Sequence, residues 1–211
     1  MDEYKIKHIE EGLTQIEFPE FDKISSDAPV FYNPHMEMNR DLSILAIQVF
    51  QKQEDREINI CDLFGGSGIR GVRYKNEIDG VGEVSINDIS ETANHFERHN
   101  IELNNLDDVE VYQHDASMFL RMKRGEFDVI DIDPFGTPSP FMDSAGYGPA
   151  ETHFYALQQL TLQLYAEPIR SHAFANIIQN LIKANTAMKP ESEFWPVLLR
   201  SHFRNIQSTL K

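Results

Sequence analysis

From residue 57 onward, apolar and polar positions alternate between two periods. Short β-branched runs at 57–62 (EINICD), 83–87 (EVSIN), 109–113 (VEVYQ) and 127–132 (FDVIDI) have the make-up of buried strands. The segments between them, 69–78, 90–103 and 116–123, carry the apolar spacing of helices. Four strands separated by helices predict an α/β fold, Rossmann-like, with a mostly parallel central sheet and right-handed crossovers. Ligands of such sheets bind beyond the carboxyl ends of the strands.

Ahead of this core, NRDLSILAIQVFQKQ places Leu42, Leu45, Ile47 and Val49 near helical spacing, with Asp41 in the first turn, and predicts a helix from Asn39. Residues 1–31 hold strand-like fragments such as Leu13–Phe18 and then a Ser-Ser-Asp-Ala-Pro break. Beyond Asp143 the pattern becomes helical over 151–189, and only FWPVLL at 194–199 reads as a strand. The expected division is therefore a lead-in (1–38), a core (39–145) and a mainly helical part packing on that core (146–211). A complete doubly wound sheet holds more strands, so one or more late strands are expected to be missing. The edge of the fourth strand is then exposed unless 194–199 or a second copy of the chain pairs with it, so a homo-oligomer is one of the two expected ways of covering it.

Composition narrows the function classes. With 211 residues and 41% hydrophobic content the chain buries a substantial core, and no apolar run approaches the length of a membrane span. Its single cysteine, Cys61, lies in an apolar run, which excludes a disulfide framework within the chain and fits a cytoplasmic setting. The net charge of −15 argues against a domain that holds nucleic acid by its overall field. Only 146–211, with 6 basic and 4 acidic residues, offers a mildly basic stretch.

The glycine-rich stretch DLFGGSGIRG follows the first core strand and opens a helix. Gly66-x-Gly68-x-x-Gly71 is formally a dinucleotide fingerprint, with Asp88 about 20 residues further on. An acid at the strand end, Asp62, favours S-adenosylmethionine instead, because a carboxylate there accepts hydrogen bonds from an ammonium group while loop N–H groups face a carboxylate. Asp88 suits the ribose hydroxyls and Asp115 the adenine amine. The candidate cofactor contacts are thus Asp62, Phe64, Gly65, Gly66, Ser67, Gly68, Asp88, Ile89, Asp115 and Ala116. The competing reading of each aspartate is a helix cap worth about 1 kcal/mol.

Asp133-Pro134-Phe135-Gly136 follows the fourth strand, where a transferable methyl group would lie. The lone pair of an exocyclic base amine is shared with the ring, so methylating it requires the amine to be oriented and its hydrogens accepted. Asp133 and the Pro134 carbonyl suit that task, and Phe135 suits stacking on the base. Asp131, on the same strand face, reads as a hydrogen-bonded carboxylate under the loop. Phe31, taken alone, reads as a hydrophobic staple ahead of a helix. No histidine set reads as a metal site: the one close pair, His95 and His99 at i,i+4, reads as a solvated helix face. Trp195 reads as core.

VFYNPHMEMNRDLSI, DLFGGSGIRGVRYKNE, INDIS and DVIDIDPFGTPSPFMDSA, in that order over about residues 28–145, resemble the tRNA (guanine-26-N2)-dimethyltransferase family. The resemblance implies a class I methyltransferase fold, S-adenosyl-L-methionine as cofactor and the N2 amine of a tRNA guanine as acceptor. It also implies that Arg40 contacts the cofactor carboxylate and that Phe31 sits opposite Phe135 against the guanine. After Asp143-Ser144-Ala145 the family pattern gives way to Gly146-Tyr147-Gly148, which reads as an internal deletion, and its C-terminal RNA-binding region is not matched. A weak hold on tRNA follows. A shortened binding module and methylation of a small-molecule or protein amine are the alternatives.

Overall fold

The computed structural model describes residues 5–20, 28 and 30–146, all within the first of the chain's two units (1–160). An antiparallel hairpin, β1 (Ile6–Glu11) and β2 (Thr14–Pro19), precedes α1 (Glu37–Glu54). The core then alternates β3 (Ile58–Asp62), α2 (Ile69–Glu77), β4 (Val81–Asn87), α3 (Glu91–Leu103), β5 (Val109–Tyr112), α4 (Ala116–Met122) and β6 (Val129–Asp131), followed by α5 (Ser139–Gly146). The four core strands pair in parallel in the order β5-β4-β3-β6. The α/β architecture expected from the alternating pattern is therefore the one observed.

Parallel strands buried on both faces account for the continuous apolar runs. Ile58, Ile60, Val84, Ile86, Val129 and Ile132 are all fully buried. Against one end of the sheet, Phe119 and Leu120 of α4 pack with Leu63, Phe127 and Ile130. The helix starts are held by side chains that supply acceptors for orphan N–H groups: Ser90 accepts from Ala93 N, and Asp115 from Met118 N.

The hairpin is the largest departure from the sequence reading. Its loop, Gly12-Leu13, has positive φ at the first position only (+62°), the pattern of a tight type II′ turn; the strand-like 13–18 segment becomes β2, and β1 ahead of it is the strand the sequence pattern did not show. The backbone of β2 pairs with side chains rather than with the sheet. Asn100 accepts from Glu17 N (2.8 Å) and donates to Glu17 O (2.9 Å). Asn104 does the same at Gln15 (2.9 and 2.7 Å). One turn apart on α3, these two carboxamides present donor and acceptor as a neighbouring strand would. His99 also joins the hairpin, bonding Glu17 at 2.7 Å, so it is not the solvated residue expected, while His95 packs edge-on against Phe96.

Among the described residues β6 pairs only with β3. The predicted helices in 151–189, the 194–199 strand and Trp195 lie outside the described residues. No described helix is long and apolar enough to cross a membrane, and no described cluster of His, Cys, Asp and Glu is arranged to hold a metal ion.

Candidate functional site

All four core strands end on one side of the sheet, which brings the predicted acids to a common edge. The turn after β3 is shaped by close approach. A side chain at Gly65 would meet Glu97 and Ile86 at 2.4 Å, and one at Gly71 would meet Ile86 at 2.5 Å, so glycine lets the turn and α2 lie against β4 and α3. Gly66 (φ +58°) also sits 3.1 Å from the Phe31 carbonyl by the same measure, which places residue 31 directly on the loop.

The loop N–H groups expected to face a ligand carboxylate are engaged inside the protein. Gly65 donates to Asn87 O (2.9 Å), Gly66 to Asp88 Oδ2 (2.9 Å), Ser67 to Phe31 O (3.2 Å) and Gly68 to Gly65 O (2.8 Å). The reason is the tight packing itself: a turn this buried must satisfy its own amides. The loop therefore acts as a shaped backbone surface more than as an anion nest.

Asp62 is buried and accepts a 2.9 Å hydrogen bond from Gly71 N, which ties strand end to helix. Asp88 uses one oxygen for Gly66 and the other for Ser90 N (2.9 Å), and Asp115 caps α4. For these last two the capping reading and the ligand reading coexist, because each carboxylate oxygen has a second lone pair. Ile89 is 71% exposed beside Asp88, and Ala116 is buried beside Asp115. Phe64 packs edge-on against Phe141 at 4.8 Å between ring centroids. Asn87, which the sequence reading missed, draws these ends together: it donates to Leu63 O and His114 O and accepts from His114 N.

Burial pushes the Asp62 carboxyl up to about 7, with Asp131 adding to the rise and Arg70 opposing it. The folded chain thus holds a proton there that the unfolded chain releases near pH 4. Its contribution to stability is full below about pH 4 and is lost as pH climbs toward about 7. Urea midpoints should fall between about pH 5 and pH 7 and fall less steeply in Asp62→Asn. Parallel slopes in the two proteins would rule Asp62 out as the source.

The deepest charges centre on Arg70, a second residue the sequence reading missed. Its guanidinium reaches Asp131 Oδ2 (3.1 Å), Asp133 Oδ2 (2.8 Å), Ser43 Oγ (3.1 Å), Tyr74 Oη (3.2 Å) and Asn39 Oδ1. Tyr74 donates its hydroxyl to Asp131 as well. Asp131 is wholly buried, as expected for a carboxylate under the loop. Asp133 Oδ1 is buried and has no partner among the described residues. Pro134 is buried, Phe135 is 58% exposed, and Gly136 turns the chain with φ +91°.

Phe31 and Phe135 meet edge to face, with ring centroids 4.4 Å apart. A base entering between them must part the rings to about 7 Å, twice an optimal carbon–carbon contact. Arg40 differs most from its expected place. Its fork is taken by Glu11 of β1, with Nε and Nη2 each 2.6 Å from a carboxylate oxygen, and both Nη atoms lie 3.2 Å from Asn33 O. Without β1 in the sequence reading, no local signal offered Arg40 that counter-ion.

An open parallel sheet with a glycine-rich turn after its first strand and acids at successive strand ends defines the class I methyltransferase fold. The same fold is found in a SAM-dependent methyltransferase from Agrobacterium tumefaciens (TM-score 0.54, 17% identity, 70% of this chain and 50% of that one). The chain belongs to the N2,N2-dimethylguanosine tRNA methyltransferase family, whose model matches residues 12–157. It is 86% identical over 147 residues to the tRNA (guanine(26)-N(2))-dimethyltransferase of Methanobrevibacter smithii, covering 70% of this chain and 38% of that protein. It is 53% identical over 136 residues to the enzyme of the same name from Methanosphaera stadtmanae, covering 64% and 35%. Trm1 from Pyrococcus horikoshii, solved with S-adenosyl-L-methionine, matches with a TM-score of 0.56 and 30% identity over 66% of this chain and 38% of that chain. The chain thus spans less than two fifths of the length of these relatives.

Proposed function

We propose that this chain carries the cofactor half of an S-adenosylmethionine-dependent methyltransferase acting on the exocyclic N2 amine of a guanine in tRNA. The observation that carries the reading is Asp133. One of its oxygens is held by Arg70, the other is buried without a partner among the described residues, and the exposed Phe135 that follows lies against Phe31. An acceptor atom next to two aromatic faces suits a flat base bearing an amine.

The cofactor suits the donor-poor edge of the sheet. An amino-acid nucleoside presents an ammonium group, a ribose diol and an adenine amine, all donors, and Asp62, Asp88 and Asp115 are the acceptors in that order. Phe64, Gly65, Gly66, Ser67 and Gly68 form the backbone surface beneath it, and Ser67 Oγ is a buried hydroxyl without a partner among the described residues. Ile89 and Ala116 flank the adenine position. Arg40 keeps one Nη1 proton beyond its bond to Asn33 O, and that proton is its means of reaching a ligand carboxylate. When bound, the cofactor supplies an electrophilic methyl group. Asp133 Oδ1 and the Pro134 carbonyl accept the two amine hydrogens and hold the nitrogen lone pair in line, while Phe31 and Phe135 fix the plane of the base.

Incubating the chain with methyl-labelled cofactor and tRNA at low salt tests this reading, since a net charge of −15 gives no broad grip on phosphate. Label is expected in N2-methylated guanosine. Cofactor binding without any label in tRNA would overturn it. Phe135→Ala is expected to raise KM for tRNA by about 5- to 150-fold, the loss of one stacked base.

A further inference from the structure

Arg70 has more counter-charge than it needs. Asp131, wholly buried and 3.1 Å away, already neutralises it, and Tyr74 donates to the same carboxylate oxygen, while Asp131 Oδ1, beneath the loop, has no partner among the described residues. A purely structural ion pair would stop there. Instead Nη2 extends 2.8 Å to Asp133 Oδ2, while Asn39 and Ser43 at the start of α1 accept from the remaining donors and hold the guanidinium plane. Asp133 is left with one oxygen anchored and the other, Oδ1, buried and without a partner among the described residues. Only a planar fork spans two carboxylates two residues apart on one strand end; an ammonium is a point charge.

We propose that Arg70 is the positioning residue for Asp133, pinning Oδ2 so that Oδ1 accepts the substrate amine and keeping the carboxylate charged while it does so. The inference rests on the methyltransferase reading above. The charged groups around Asp133 set the electrostatics: Arg70 from α2, Arg40 from α1, Asp131 beside it and Asp62 from β3. Burial and Asp131 raise the Asp133 carboxyl, and the two arginines oppose that rise. Without Arg70 only Arg40 would oppose burial and Asp131, so the Asp133 carboxyl would rise further, and a protonated carboxyl loses the acceptor that faces the amine.

The test compares Asp131→Asn with Arg70→Gln/Asp131→Asn in the full chain. The second substitution removes the buried carboxylate that Arg70→Gln alone would orphan, so folding is protected. Asp133 is followed by carbon-13 carboxyl titration, assigned by its loss in Asp133→Asn, and cofactor affinity is measured by calorimetry. Losing Arg70 is expected to move the Asp133 titration upward by about 1–3 pH units. The acid limb of the single-turnover pH profile should move with it, while cofactor affinity changes by less than about threefold. Arg70→Lys should restore the titration but not the rate.

An unmoved Asp133 titration in an active chain overturns the inference alone, as does a rate that falls in strict proportion to cofactor affinity. A wild-type chain that methylates no tRNA overturns the proposed function, and with it the amine-positioning role. In that case the titration still decides whether Arg70 governs the charge on Asp133.

Discussion

Asp133→Ala is expected to slow single-turnover methyl transfer by about 10²- to 10⁴-fold, with cofactor affinity little changed. The large factor follows from the chemistry of the acceptor. A guanine amine is held nearly planar by conjugation, so the rate depends on aiming its lone pair and accepting its hydrogens, and Oδ1 is a buried acceptor left open for that. Cofactor affinity should survive because the acids assigned to the cofactor, Asp62, Asp88 and Asp115, stand on other strands. Asp133→Asn separates aim from charge: the amide keeps a carbonyl oxygen but its NH₂ would confront Arg70. Quench-flow rates with saturating cofactor, beside calorimetric affinities, make the comparison. Equal losses in rate and affinity would place Asp133 in the cofactor pocket instead.

Glu11→Ala is expected to destabilise the fold by about 3–5 kcal/mol, a large share of a domain's typical margin. Glu11 is 3% exposed and is shared by two buried arginines. Oε1 accepts from Arg40 Nε (2.6 Å) and Arg73 Nη1 (2.7 Å), and Oε2 accepts from Arg40 Nη2 (2.6 Å) and Tyr32 Oη (3.0 Å). Arg73 retains Glu77 and Asp41, but Arg40 keeps only the Asn33 carbonyl and the face of Tyr32. Removing the carboxylate therefore orphans a buried charge, which costs more than the pair contributes. Urea unfolding measures it, and Glu11→Gln should lose less because it preserves one acceptor. Burial alone would raise the Glu11 carboxyl, yet Arg40 and Arg73 win and hold it below its ordinary value. Its stabilisation is thus present at neutral pH and lost as pH falls through that lowered value, opposite in sign to Asp62. A Glu11→Ala chain with wild-type stability would show the hairpin to be a passive appendage.

Much of this molecule was legible from local pattern. β-branched runs separated by amphipathic segments located every core strand within two residues, because burial on both faces of a parallel sheet admits little else. The glycine-rich turn was legible from its place between a strand and a helix, and Asp133 and Phe135 as the end of a strand broken by proline and glycine. Three things were not. IKHIEE looks too polar for a strand, since only its Glu11 is buried and, among the described residues, it pairs with β2 alone. Arg40 carried no sign that Glu11 would meet it, and Arg70 carried none that Asp131 and Asp133 would meet it.

The sequence by itself determined the order of elements, the glycine turn and the acids at the strand ends, because those depend on neighbours within a few residues. Only the tertiary structure decided which acid each arginine answers. Arg70 to Asp131 spans 61 residues and Arg73 to Glu11 spans 62, and such pairs form only when helix rotation and strand register put both groups in one dry space. There the loss of hydration makes an unpaired charge too costly to leave, so burial, not proximity in sequence, selects the partner.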